Sequence, residues 1–217
     1  RPFFVLYRPD GSVAMNTTFF TNSVQGASAM VSRVVIDVGR STFLSSGNWN
    51  NLTNHIAASA LTNLIATNGQ NTAISLTIAT SGFDGNNADG TTAPGSNVPY
   101  PASSTRDSFF GAGSQSVLVL SNLNVAADHT FRFFASRMGG SSDRNTEYTV
   151  GGATTNTVTL DAHNNTNAIA TAAALKPRAD GTITITVRRT PSNTGGFYYI
   201  GVIDMDIEVP VPAQTTP

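Results

Sequence analysis

The segment from Gly195 to Val209 narrows the possible folds most. Ile203, Met205, Ile207 and Val209 are apolar at every second position, and Asp204, Asp206 and Glu208 stand between them. A period of two sends the two sets to opposite sides of an extended chain. The segment therefore reads as a strand with one buried face and one wet, acidic face. Gly195 and Gly196 supply a turn before it, and Pro210 and Pro212 end pairing in a sheet interior after it. A strand of similar strength, Val34–Val38, lies near the other end of the same region. Two such strands at the ends of one domain are expected to pair or pack together, bringing the domain ends close in space.

Between them the alternation recurs at short spacing. Strands are predicted at 74–80, 117–120, 130–137, 147–150, 157–161, 167–174 and 182–188. One helix is predicted over 54–68, where Ile56, Ala60, Leu61, Leu64 and Ile65 follow helical spacing and Gly69 stands as a C-cap. Residues 81–115 are rich in Gly, Asn, Ser and Pro and read as one long loop, functional or disordered. About eight to ten strands with one short helix predict an all-β fold: a two-sheet antiparallel β-sandwich, most simply a jelly roll. The predicted organisation is an N-terminal arm and linker at 1–32, the sandwich at 33–209, and a Pro/Thr-rich tail at 210–217.

Composition sets the functional bounds. Charged residues make up 12% of the chain, about half the usual ~25%. Thr, Ser, Asn and Gly supply the polarity instead, which suits an extracellular, cell or virion surface. The net charge is -1, so no basic field exists to hold nucleic acid and no basic amphipathic helix to hold a membrane. No apolar run approaches the ~20 residues of a membrane span. The absence of cysteine excludes disulfides and thiolate metal sites. The chain begins at Arg1, which leaves open whether this is a processed terminus.

Several segments together resemble a known module: 34–39, 47–51, 105–110, Phe133-Phe134-Ala135-Ser136-Arg137, and 179–183 followed by Gly196-Phe197-Tyr198-Tyr199. They are similar to a β-sandwich of large extracellular proteins of environmental bacteria, often found beside hydrolase domains and resembling the galactose-binding-like jelly rolls. The resemblance covers about residues 33–208. It implies the sandwich fold and a role as an accessory domain.

No catalytic set emerges. Only His55, His129 and His163 are available, no Gly-x-Ser-x-Gly elbow surrounds a serine, and the carboxylates fall in no motif. The chain is read as a non-enzyme. Asp84, Asn86 and Asp89 offer hard oxygens in a Gly-rich loop. That loop lacks the bidentate Glu of an EF-hand, so a solvated Asx-turn is preferred and Ca²⁺ is the one cofactor left open. For sugar, Trp49 with Asn48 and Asn50 supplies an aromatic platform and amides; Tyr100, Arg106 and Asp107 could complete the site. Against this, a lone Trp is usually buried with its indole N–H satisfied, and Arg106 with Asp107 could simply pin the loop. Phe131, Phe133, Phe134, Phe197, Tyr198 and Tyr199 read more simply as core and lip residues than as a stacking surface.

Phe3, Phe4, Val5, Leu6 and Tyr7 form a dense apolar run that would be costly in water. An extra edge strand on the same domain and an arm exchanged with a neighbouring sheet both satisfy it. The exchanged arm leads to the primary expectation: a structural surface module, self-assembling into a particle or filament, with glycan contact as a further property. The alternative is a carbohydrate-binding accessory module of a secreted polysaccharide-degrading system.

Overall fold

The two strong apolar strands pair with each other. In the computed structural model, which describes residues 30–79 and 81–209, β1 (Met30–Val38) runs antiparallel to β14 (Val202–Val209), from Met30 opposite Val209 to Asp37 opposite Val202. They form the middle of a five-stranded sheet in the order β11-β8-β14-β1-β2, with β2 at Asn50–Leu52, β8 at His129–Phe134 and β11 at Ala170–Leu175. A six-stranded sheet has the order β10-β9-β12-β7-β4-β3. Its members are β3 (Ala60–Leu61), β4 (Ser75–Ile78), β7 (Ser116–Ser121), β9 (Asn145–Gly151), β10 (Thr155–Asp161) and β12 (Ile183–Arg189). The fold is an all-β sandwich of antiparallel sheets packed together; among the described strands only β1 and β2 pair in parallel, over a short stretch.

Alternation decides which side chains enter the core. Val34, Ile36 and Val38 of β1 meet Ile203, Met205 and Ile207 of β14 in one cluster with Leu76, Leu118, Leu120, Ile183 and Ile185 of the facing sheet. Each fully buried side chain of this size contributes about 1.5–3 kcal/mol. Phe133 stacks on Tyr148 across the sheets, with ring centroids 4.5 Å apart and planes 5° from parallel. The Tyr148 hydroxyl, fully enclosed, donates to the Tyr199 carbonyl at 2.7 Å, and burial raises its pKa.

Three expectations are corrected. First, residues 54–68 do not form a helix. Ala58 and Asn63 have φ of 66° and 53°, each incompatible with a continuing right-handed turn. Asn50 replaces helical hydrogen bonding there: its amide donates to the Val35 and Ile65 carbonyls while its Oδ1 accepts from Ile65 N–H. Among the described residues the one short helix is α1 (Ala102–Thr105). Second, 81–115 is not an unstructured loop. It holds α1 and two strands of a third, small sheet ordered β13-β6-β5, with β5 at Gly85–Asn87, β6 at Ser108–Gly111 and β13 at Tyr198–Ile200. The sandwich therefore has more than two sheets.

Third, the acidic face of β14 is not wet along its length. Asp204 is 1% exposed. The Arg33 guanidinium grips it through two bonds of 2.9 Å, and the Tyr100 hydroxyl donates to it at 3.0 Å. Tyr100 belongs to a second cluster on this outer face with Val98, Phe134 and Val202, against which Trp49 packs. The segment before α1 thus covers part of the sheet. Phe3, Phe4, Val5, Leu6, Tyr7 and the 210–217 tail lie outside the described residues. Among the described residues no helix is long and apolar enough to cross a membrane.

Candidate functional site

The residues proposed for a sugar platform divide between two places. Trp49 is half-buried, edge-on to Tyr100 at 6.2 Å, and serves the outer cluster. Tyr100 is 3% exposed with its hydroxyl committed to Asp204; burial raises its pKa and the neighbouring carboxylate adds to the rise. Asn50 is the buried staple of the preceding section. Asn48 is exposed and donates to the Thr67 carbonyl at 3.0 Å. Arg106 places its guanidinium 3.7 Å over the Phe43 ring. Asp107 is 1% exposed and accepts from Arg40 N–H. All six therefore carry structural contacts that engage a polar group or a ring.

Asp107 and Asp37 form a buried acidic pair. Burial pushes Asp107 up to about 6, opposed by the Arg40 N–H and by the charges of Arg106 and Arg40. Burial pushes Asp37 up to about 7, opposed by Ser45 bonds and reinforced by the Asp107 charge. Such values suit acid–base chemistry in a cleft, but Asp37 is 4% exposed. Neither carboxyl faces open solvent, so the pair acts on the loop that follows β1. The oxygens considered for Ca²⁺ do not converge. Asp84 accepts from Ala112 N–H at 2.5 Å, and Asp89 pairs with Arg137 at 3.3 Å. Among the described residues no three His, Cys, Asp or Glu side chains gather for a metal.

A different place has the form of a ligand site. An open cleft of about 480 Å³ lies over the third sheet, within the ~300–1,000 Å³ range of small-molecule sites. Its aromatic wall is built by strand register. Gly85, Phe110 and Tyr199 stand opposite one another across β5, β6 and β13. Gly85 lets the Phe110 ring lie close over β5, since a Cβ there would stand 3.1 Å from the ring. Phe110 meets Phe197 edge-to-face at 5.7 Å and Tyr199 at 6.2 Å.

The polar wall comes from strand ends. Arg40 follows β1, Arg137 follows β8, and Arg144 precedes β9; Asn86 and Asp89 face them from β5 and the turn beyond it. Arg144 is held in place. Its N–H donates to Asp161 Oδ1 at 2.7 Å, and its Nη1 donates to the Ser142 and Asp143 carbonyls at 3.1 and 3.0 Å. Asp143 in turn accepts from Thr194 N–H at 2.7 Å, tying this loop to the turn before β13. Gly195 leaves the room Arg144 fills, since a Cβ there would lie 1.4 Å from its Nη1. The Asn87 amide donates to the Ser136 carbonyl at 3.2 Å, fastening β5 to the end of β8.

Of the residues considered for sugar or Ca²⁺ binding, Asn86 and Asp89 line this cleft. Sequence pattern alone marks none of Arg40, Arg137, Arg144 and Phe110 as site residues and gives Phe197 and Tyr199 as core and lip residues. Two signals were present. Arg137, Phe110 and Phe197 lie in the segments that carry the resemblance, and strands end in Gly39-Arg40 and in the Gly139–Arg144 turn. The arrangement can stack a ring face on an aromatic wall and hydrogen-bond its oxygens from amide and guanidinium groups. No family model matches the chain, and no curated protein or solved structure matches it.

Proposed function

We propose that the chain is a non-catalytic carbohydrate-binding β-sandwich of a secreted or surface-displayed protein, taking its ligand in the Phe197 cleft. The observation that carries this reading is the pairing, in one open cleft, of an aromatic wall with amide and guanidinium donors. Sugars present both an apolar C–H face and a rim of hydroxyls, and these walls complement both. The buried position of Asp37 and Asp107 supports the non-catalytic part, since a general acid must reach its substrate. Likeness to galactose-binding-like jelly rolls in the quoted segments fits the same role.

The test is binding of the full chain to a polysaccharide panel, with Phe197→Ala and Trp49→Ala beside it. Phe197→Ala should weaken binding at least tenfold with its circular dichroism unchanged. Trp49→Ala should keep binding and lose roughly 2 kcal/mol of stability, about half of the ~3–5 kcal/mol of a fully buried aromatic. Loss of binding in Trp49→Ala at unchanged stability would move the site to the outer cluster and reject the cleft.

A further inference from the structure

We infer that the ligand of this cleft is an acidic saccharide, its carboxylate or sulfate met by the guanidinium groups of Arg144 and Arg40. The inference rests on the carbohydrate-binding reading of the same cleft and adds the ligand's charge. Its basis is an imbalance of charge. Arg137 has a counter-ion in Asp89. Among the described residues, neither Arg40 nor Arg144 meets a carboxylate within 4.0 Å. Two guanidinium charges therefore share one cleft of a chain whose net charge is -1. The cleft beside Arg188 and Arg189 differs, because Arg188 is closed by Glu147 at 2.7 Å.

Arg144 is also built to hold still. Backbone and carbonyl contacts fix one side of its guanidinium, the Phe197 ring lies 5.8 Å from its Cζ, and its Nε has no hydrogen-bond partner. A planar fork fixed in advance loses little entropy on meeting a carboxylate or sulfate. Charge-assisted hydrogen bonds of that kind are roughly twice as strong as neutral ones. A neutral sugar would fill the aromatic wall and leave both guanidinium groups without a carboxylate within 4.0 Å.

The test uses the full chain in calorimetric titrations with three matched oligosaccharides of galactose rings: uronate, sulfated and neutral. The uronate or the sulfated form should bind at least tenfold more tightly than the neutral form, and the tighter of the two identifies the acid. Arg40→Gln and Arg144→Gln should each remove that advantage. Arg40 is exposed, so Arg40→Gln carries the test if Arg144→Gln fails to fold. Equal binding of neutral and acidic forms overturns the acid preference and leaves the carbohydrate-binding reading standing. Acidic preference that survives Arg40→Gln in a folded variant overturns the assignment to these arginines. Failure of all three to bind overturns both readings.

Discussion

Replacing Asp204 by Asn should cost about 3 kcal/mol, near the lower end of the ~3–5 kcal/mol seen when one member of a buried ion pair is removed. Asp204 is 1% exposed and receives two Arg33 bonds of 2.9 Å and the Tyr100 hydroxyl at 3.0 Å. Arg132 Nη1 stands 3.7 Å away. Asn keeps the shape but turns one acceptor into a donor that faces other donors. The lower end applies because the Arg33 and Arg132 side chains are 38% and 31% exposed, so water takes over part of their solvation. For a unit of this size the melting temperature should fall by roughly 6–12 °C, at 2–4 °C per kcal/mol. Tyr100→Phe removes one bond and leaves Arg33 in place, at ~1.5–3 kcal/mol for a bond to a charged group. Differential scanning calorimetry of both single variants and the double variant gives their coupling. A shift below 2 °C for Asp204→Asn, or no coupling, would refute the claim that this network fastens the outer layer to the sheet.

Three further outcomes are expected. Asp37 and Asp107 titrate at about 7 and about 6 in the folded chain, above the ~3.9 of an unfolded aspartate. Because both are raised, their contribution to stability is complete below about pH 4 and is lost as pH rises through 6 and 7. Urea unfolding should show roughly 4 kcal/mol lost from this pair between pH 5 and 8. Asp37→Asn should flatten that slope, and an unchanged slope would reject the assignment. Gly195→Ala should displace both Arg144 and the Asp143 carbonyl, since the added carbon would lie 1.4 Å from Arg144 Nη1 and 2.3 Å from the Asp143 oxygen; affinity for the acidic ligand should fall at least to that of Arg144→Gln, with a loss of melting temperature beside it. Removing residues 1–28 should leave the Ala29–Pro210 unit folded and abolish any self-association seen by light scattering. A full-length chain that stays monomeric at high concentration would count against the exchanged arm.

Period-two alternation was enough to foresee the β1–β14 pairing, because both strands bury one face in the same core. It could not reveal that Asp204 is covered, since Tyr100 and its segment come from 104 residues away. The spacing of Ile56, Leu61, Leu64 and Ile65 misled because apolar residues three and four apart also arise in turns. Asn50 and the left-handed Ala58 and Asn63 settle that conformation, and neither leaves a periodic mark. Trp49 attracted a sugar site as the lone tryptophan, yet its ring is used against Tyr100. The arginines of the cleft were hidden for the opposite reason. Each stands at the end or start of a different strand, and only the closing of the third sheet brings them together.

The most direct test of the cleft is a nitrogen-15 NMR titration of the full chain with the tightest-binding acidic oligosaccharide. The account predicts that the Nε–H signals of Arg40 and Arg144 shift, together with the backbone amides of Asn86, Asp89 and Phe197, while those of Trp49 and Tyr100 stay in place. Shifts centred on Trp49 and Tyr100, with the arginine signals unmoved, would contradict it.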